Sequence, residues 1–173
     1  MDYFINFILL VIIYLFFFYR KWNKASKILL MIKTSMYVYF VLVLFFTLMP
    51  FTISFNSTNN LFMETANLIP FRDVRLHYDG AIREVLLNII MMVPFGFLYP
   101  IIKKKGLFMT VFITFFFSLF IELSQLLSVW GNGVSPRIFD VTDLITNTSG
   151  GLIGYLVYIV LKPTVFKDIN PSH

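Results

Sequence analysis

The sequence predicts an all-α membrane protein: a five-span transmembrane helical bundle with an outer interfacial loop and an outward-facing polar pocket. Three observations carry that prediction. Hydrophobic residues make up 58% of the 173 residues and charged residues 13%, against roughly half and a quarter in soluble domains. The apolar residues fall into five stretches, 3–19, 33–55, 84–102, 107–130 and 140–161, each of roughly 17–23 residues and long enough as helix to cross about 30 Å of hydrocarbon. The basic residues gather between those stretches. Nothing is left over for a soluble domain. Residues 1–35 read as an anchor span with a basic loop, 36–161 as the main membrane domain and 162–173 as a tail.

The first stretch is rich in Phe, Ile and Leu. No basic residue precedes it, no small-residue cleavage site follows, and Arg20 and Lys21 end it. It reads as a signal anchor that is retained. The second stretch is similar, and neither carries a charge within its span. Arg20, Lys21, Lys24, Lys27 and Lys33 join the first two spans; Lys103, Lys104 and Lys105 join the third and fourth; Lys162 and Lys167 follow the fifth. With five spans these regions share one side, which the positive-inside rule makes cytoplasmic. The expectation is a multi-pass protein of the bacterial cytoplasmic membrane, N-terminus outside and C-terminus in the cytoplasm. The net charge of +5 is then a topology signal and does not imply nucleic acid. The absence of cysteine excludes disulfides, thiolate metal sites and a cysteine nucleophile.

Residues 56–83 form the predicted outer loop. It mixes Leu68, Ile69, Phe71 and Tyr78 with Arg72, Asp73, Arg75, His77 and Asp79. That mixture suits the membrane interface or a re-entrant cap.

The last three spans hold the polar residues. In the third, Glu84 and Asn88 are four apart and share a helix face, while Pro94 and Gly96 lie mid-span. The proline either kinks the helix for packing or shapes a pocket. In the fourth, Thr114, Ser118, Glu122 and Gln125 fall within an arc of roughly 80°. Glu122 lies about 12 Å below the outer end of its helix. A charge at such depth costs about 2.5–3.5 kcal/mol on insertion scales. It is either a functional acid or a hydrogen-bonded clasp between spans. In the fifth, Asp140, Asp143, Asn147, Gly150, Gly151 and Gly154 occupy about 100° of arc. Gly150-x-x-x-Gly154 lets another helix approach closely. Asp140 and Asp143 fit an N-cap and its third-position partner, but capping does not account for Asn147 one turn deeper. One outward polar pocket, walled by these spans and roofed by the 56–83 loop, accounts for all of them. Arg72, Arg75, Arg83 and Arg137 flank its mouth. They either bind a carboxylate or phosphate or pair internally with Asp73, Glu84, Asp140 or Asp143.

Four blocks, NLIPF at 67–71, NIIMMVPFGFLYP at 88–100, IELSQ at 121–125 and PRIFDVTDLITNTSGGLIGY at 136–155, together resemble the VanZ-like family of bacterial membrane proteins, over about residues 36–160. The resemblance implies a cell-envelope role that reduces susceptibility to teicoplanin-type lipoglycopeptides. It carries the family pattern onto Asn67, Pro70, Phe71, Asn88, Pro94, Gly96, Glu122, Gln125, Arg137, Asp140, Asp143, Asn147, Gly150 and Gly154.

Three functions compete. The first is a binding or shielding protein whose pocket takes a lipid, a cell-wall precursor or the drug. Its expected contacts are Arg72, Arg75, Glu84, Asn88, Glu122, Gln125, Arg137, Asp140, Asp143 and Asn147. The second is an enzyme acting on a lipid-linked phosphate substrate at the outer leaflet. Glu122, Asp140 and Asp143 would then hold a divalent cation, or Glu122 would act as general acid or base, with Arg137 and Arg72 clamping phosphate. Against it, the two histidines are His77 and His173, no Ser-His-Asp arrangement is legible, and no cofactor is evident. The third is a small transporter or flippase. Membrane lipids are the expected partners in every case.

Overall fold

In hydrocarbon, a chain satisfies its backbone polar groups through helix, and helix is what the apolar stretches form. The computed structural model of the chain describes residues 3–24, 26–48, 66–132 and 139–169. Helix α1 (Tyr3–Ile13) passes into a π-helical segment, Tyr14–Tyr19, and then α2 (Arg20–Trp22). There follow α3 (Lys27–Leu48), the single turn α4 (Arg72–Arg75), α5 (Ala81–Lys103), α6 (Leu107–Asn132) and α7 (Val141–Ile169). Among the described residues there is no strand, only an isolated parallel bridge between Asn67 and Asp140.

Four of these helices, α3, α5, α6 and α7, are long and apolar enough to cross a membrane. The first stretch is helical from Tyr3 to Trp22 but is divided by the π-helical segment, and it is not one of the four. The boundaries differ from the sequence expectation at several ends. α3 starts at Lys27 rather than at residue 33, because long basic side chains let a helix continue while their charged heads stay in the polar layer. α7 runs past residue 161 and through Pro163 to Ile169. The C-terminal end of the second stretch and the start of the following loop (49–65), Arg137 and His173 lie outside the described residues.

α5 is one helix through both Pro94 and Pro100. In the turn before Pro94, the hydroxyl of Tyr39 on α3 donates to the Met91 carbonyl at 3.0 Å. The apolar core lies between α3, α5 and α6 and includes Met36, Val43, Met92, Phe95 and Ile121. Phe40, Phe95 and Phe117, one from each helix, form a ring triangle with centroids 5.1–5.9 Å apart. Such pairs add stability beyond the area they bury.

α5 and α7 pack by glycine. A Cβ on Gly150 would meet the Ile89 carbonyl, and one on Gly154 would meet the Val93 carbonyl. A Cβ on Gly96 would meet the Gly151 carbonyl. The pairs 89 with 150 and 93 with 154 advance together, so the two helices run parallel in a fixed register. The small-residue motif read from the sequence therefore faces α5, with Gly96 as its counterpart.

Candidate functional site

α6 runs antiparallel to α7, and their stripes meet rung by rung. Thr114 lies against Gly151. Ser118 accepts a hydrogen bond from the Asn147 side-chain amide at 2.9 Å. Glu122 lies within electrostatic reach of Asp140 and Asp143. Thr114, Ser118, Glu122 and Asn147 are all at most 1% exposed. Polar groups at such burial need partners, and the stripe on one helix supplies them to the other.

Asp140 is the N-cap of α7. One carboxylate oxygen accepts from the Thr142 backbone N–H at 2.6 Å, the second position of the helix. In a capping box the third helical residue reaches back to the N-cap N–H. That residue is Asp143, but here the N-cap N–H of Asp140 donates instead to Glu122 Oε2 at 3.0 Å. A carboxylate from the neighbouring span closes the box. Asp143 is thereby released from capping, and its carboxylate lies within reach of the Asn88 side chain on α5.

The loop segment before α4 is pinned to the same helix start. Asn67 N–H donates to the Phe139 carbonyl at 2.8 Å, and Val141 N–H donates to the Asn67 carbonyl at 3.0 Å. The Asn67 side-chain amide donates to the second Asp140 oxygen at 2.9 Å. Phe71 adopts a left-handed backbone, φ 56°, uncommon for a bulky residue, while its N–H donates to Thr142 Oγ1 at 2.9 Å. The described end of the loop is thus tied to the start of α7 by backbone pairing. Asn67, buried at 3% exposure, was marked only by the family pattern; nothing in composition distinguishes a buried loop asparagine. Thr142, between two aspartates, carries no mark of this role in the sequence.

The Asn67–Asp140 pair predicts an exchange experiment. Asn67→Asp alone sets two carboxylates face to face, and Asp140→Asn alone sets two amides together. Each is expected to cost about 1–3 kcal/mol in thermal unfolding of the detergent-purified protein. The double exchange is expected to recover most of the loss. A double exchange no better than the worse single variant would show that this contact does not hold the roof.

The predicted site residues are not all brought together. Glu84, Asn88, Glu122, Asp140 and Asp143 converge at one end of α5, α6 and α7, and Asp73 joins them: Asp143 is within electrostatic reach of Asp140, Glu84 and Asp73. Asn147 lies one turn deeper. Its side-chain oxygen is buried with no hydrogen-bond partner among the described residues. Gln125 does not join this group; its amide donates to the Thr47 carbonyl near the end of α3 at 3.1 Å. Arg72 and Arg75, the two ends of the α4 turn, are exposed, and among the described residues neither forms an ion pair. Arg137 is outside the described residues. Among those described, no three His, Cys, Asp or Glu side chains form a group that could hold a metal ion. The trio of Glu122, Asp140 and Asp143 fits a cation poorly, because Asp140 and Glu122 direct oxygens at N–H groups.

The VanZ/LLP1 family model matches residues 36–162. The chain belongs to that family. Protein VanZ of Enterococcus faecium is 30% identical over 122 residues, covering 70% of this chain and 69% of that protein. No solved structure matches the chain. The VanZ/LLP1 match begins within α3 and includes every residue of the converging group. It leaves α1, the π-helical segment and α2 outside.

Proposed function

We propose that this VanZ-family chain acts in the bacterial cytoplasmic membrane to lower susceptibility to teicoplanin-type lipoglycopeptides. In this reading it has five spans, with the N-terminus outside, the C-terminus in the cytoplasm and the carboxylate end of α5–α7 facing outward beneath an interfacial loop. It binds a cell-wall precursor or the drug at that end.

The observation that carries the reading is Asp143. Asp140 and Glu122 are engaged in capping α7, whereas Asp143, among the described residues, caps nothing and has the Asn88 side chain beside it. The side-chain oxygen of Asn147, without a partner among the described residues, supplies a second acceptor one turn below. Surplus acceptors and clustered carboxylates favour a ligand that presents a cation or N–H donors, since opposite charge and donor–acceptor matching set specificity. An amine-bearing peptide stem of a precursor, or the peptide face of the drug, has that chemistry. This differs from the phosphate clamp that the arginines suggested in the sequence.

Asp143→Asn tests it. The amide retains an oxygen for Asn88, so folded yield is expected to stay near wild type. Loss of a charge-assisted hydrogen bond, about 1.5–3 kcal/mol, is expected to weaken ligand binding about 10–100-fold and remove protection in a teicoplanin susceptibility assay. Protection unchanged in both Asp143→Asn and Asp143→Ala would sink the reading. Because the chain has no cysteine, Asp79→Cys and Lys104→Cys report sidedness. A membrane-impermeant thiol reagent applied to intact cells is expected to label the first and spare the second.

A further inference from the structure

An open trough of about 540 Å³ runs along α3, with Tyr14 of the π-helical segment as its opposite wall. It begins at Lys27, at the end of α3 opposite Thr47, which sits beside α6 near the carboxylate end. Its walls include Tyr14, Leu30, Met31, Val38 and Leu42, with Lys27 at one end. From Lys27 to Leu42 it follows one face of α3 for about 22 Å. Two of its hydroxyls are already satisfied, and another, that of Ser35, is exposed on the wall. Tyr14 donates to Thr34 Oγ1 at 2.6 Å, and Thr34 donates onward to the Leu30 carbonyl at 2.9 Å. Apart from the Ser35 hydroxyl, the body of the trough suits an apolar chain.

Its end does ask for charge. Arg20, Lys21, Lys24, Lys27 and Lys33 lie within fourteen residues, and residues 3–63 contain no Asp or Glu to neutralise them. Lys33 is held over the Trp22 ring at 5.9 Å and Arg20 over the Phe16 ring at 5.3 Å. The trough wall opposite α3 is set by the π-helical segment, which starts at Tyr14; Tyr37 braces its entry by donating to the Leu10 carbonyl at 2.8 Å. π-helical turns recur at functional sites.

We infer that this trough seats one anionic glycerophospholipid, with an acyl chain along α3 between Leu30 and Leu42 and the headgroup phosphate at Lys27 and the basic turn. A basic residue beside an anionic headgroup contributes about fivefold in occupancy. The site is independent of the carboxylate end and of the function proposed for it.

The full chain, extracted in mild detergent from bilayers of equal phosphatidylglycerol and phosphatidylcholine, is expected to carry phosphatidylglycerol as a 1:1 adduct in native mass spectrometry. Its excess over phosphatidylcholine is expected to be about fivefold or more. Lys27→Gln is expected to reduce that excess, and Val38→Trp to remove both adducts by filling the trough. Met31→Trp, at a wall position 65% exposed, repeats the test without touching the core, should Val38→Trp fail to fold. Equal retention of the two lipids, adducts indifferent to both tryptophans, or a second copy of the chain seated on α3 in place of lipid would each overturn the inference.

Discussion

Gly154→Val is expected to lose most of its folded protein. The atoms that a Cβ at Gly154 would meet are the Val93 carbonyl oxygen, Gly96 Cα at 2.9 Å and Phe97 N at 2.9 Å. All three are backbone, so no side chain can rotate aside, and α5 itself has to move. Overpacking a core costs about 1–3 kcal/mol when side chains can adjust. Here they cannot, and a cost of at least about 3 kcal/mol is expected against a total stability of roughly 5–15 kcal/mol. The displacement would also draw Asn88 on α5 away from Asp143 on α7. Gly106→Ala is the control, since nothing lies within 4 Å of a Cβ there. Thermal unfolding of the two purified variants makes the comparison; equal melting would show that α5 and α7 do not meet backbone to backbone.

Glu122→Leu is the second large effect, and Glu122→Gln separates its causes. Leucine leaves the Asp140 N–H buried without an acceptor, about 1–3 kcal/mol, and removes the cross-helix half of the capping box, where caps contribute about 0.5–2 kcal/mol. Glutamine keeps a carbonyl oxygen for that N–H. It is expected to restore most of the folded yield and to shed the cost of a carboxylate inside the bilayer. If Glu122→Gln unfolds as readily as Glu122→Leu, the negative charge rather than the acceptor is what α7 needs. Under the proposed function, Asp143→Asn should behave oppositely, sparing the fold and removing protection. Together the variants separate the carboxylates that build the helix start from the one proposed above to meet a ligand.

Much of the site's raw material was legible. Helical projection placed Thr114, Ser118 and Glu122 on one face of α6 and Asp140, Asp143 and Asn147 on one face of α7, because 3.6-residue periodicity is a property of a single helix. It also read Asp140 as a cap. It could not say that Glu122 completes the box in place of Asp143, because that depends on the antiparallel register of α6 against α7. Gln125 shares the α6 face with Glu122 yet serves the end of α3, since one stripe is wide enough to meet two neighbours. The arginines looked like partners for the carboxylates by charge alone; the single turn that holds Arg72 and Arg75 leaves them exposed.

The sequence by itself determined that the chain is helical and built for a membrane, and which residues share a helix face. Those properties follow from local periodicity and from the cost of placing polar groups in hydrocarbon. The tertiary structure alone decided which faces meet. Glycine contacts set α5 parallel to α7, antiparallel rungs matched α6 to α7, and the backbone of Asn67 joined the loop to the start of α7. Each is a contact between segments far apart in the chain, whose register no local pattern encodes.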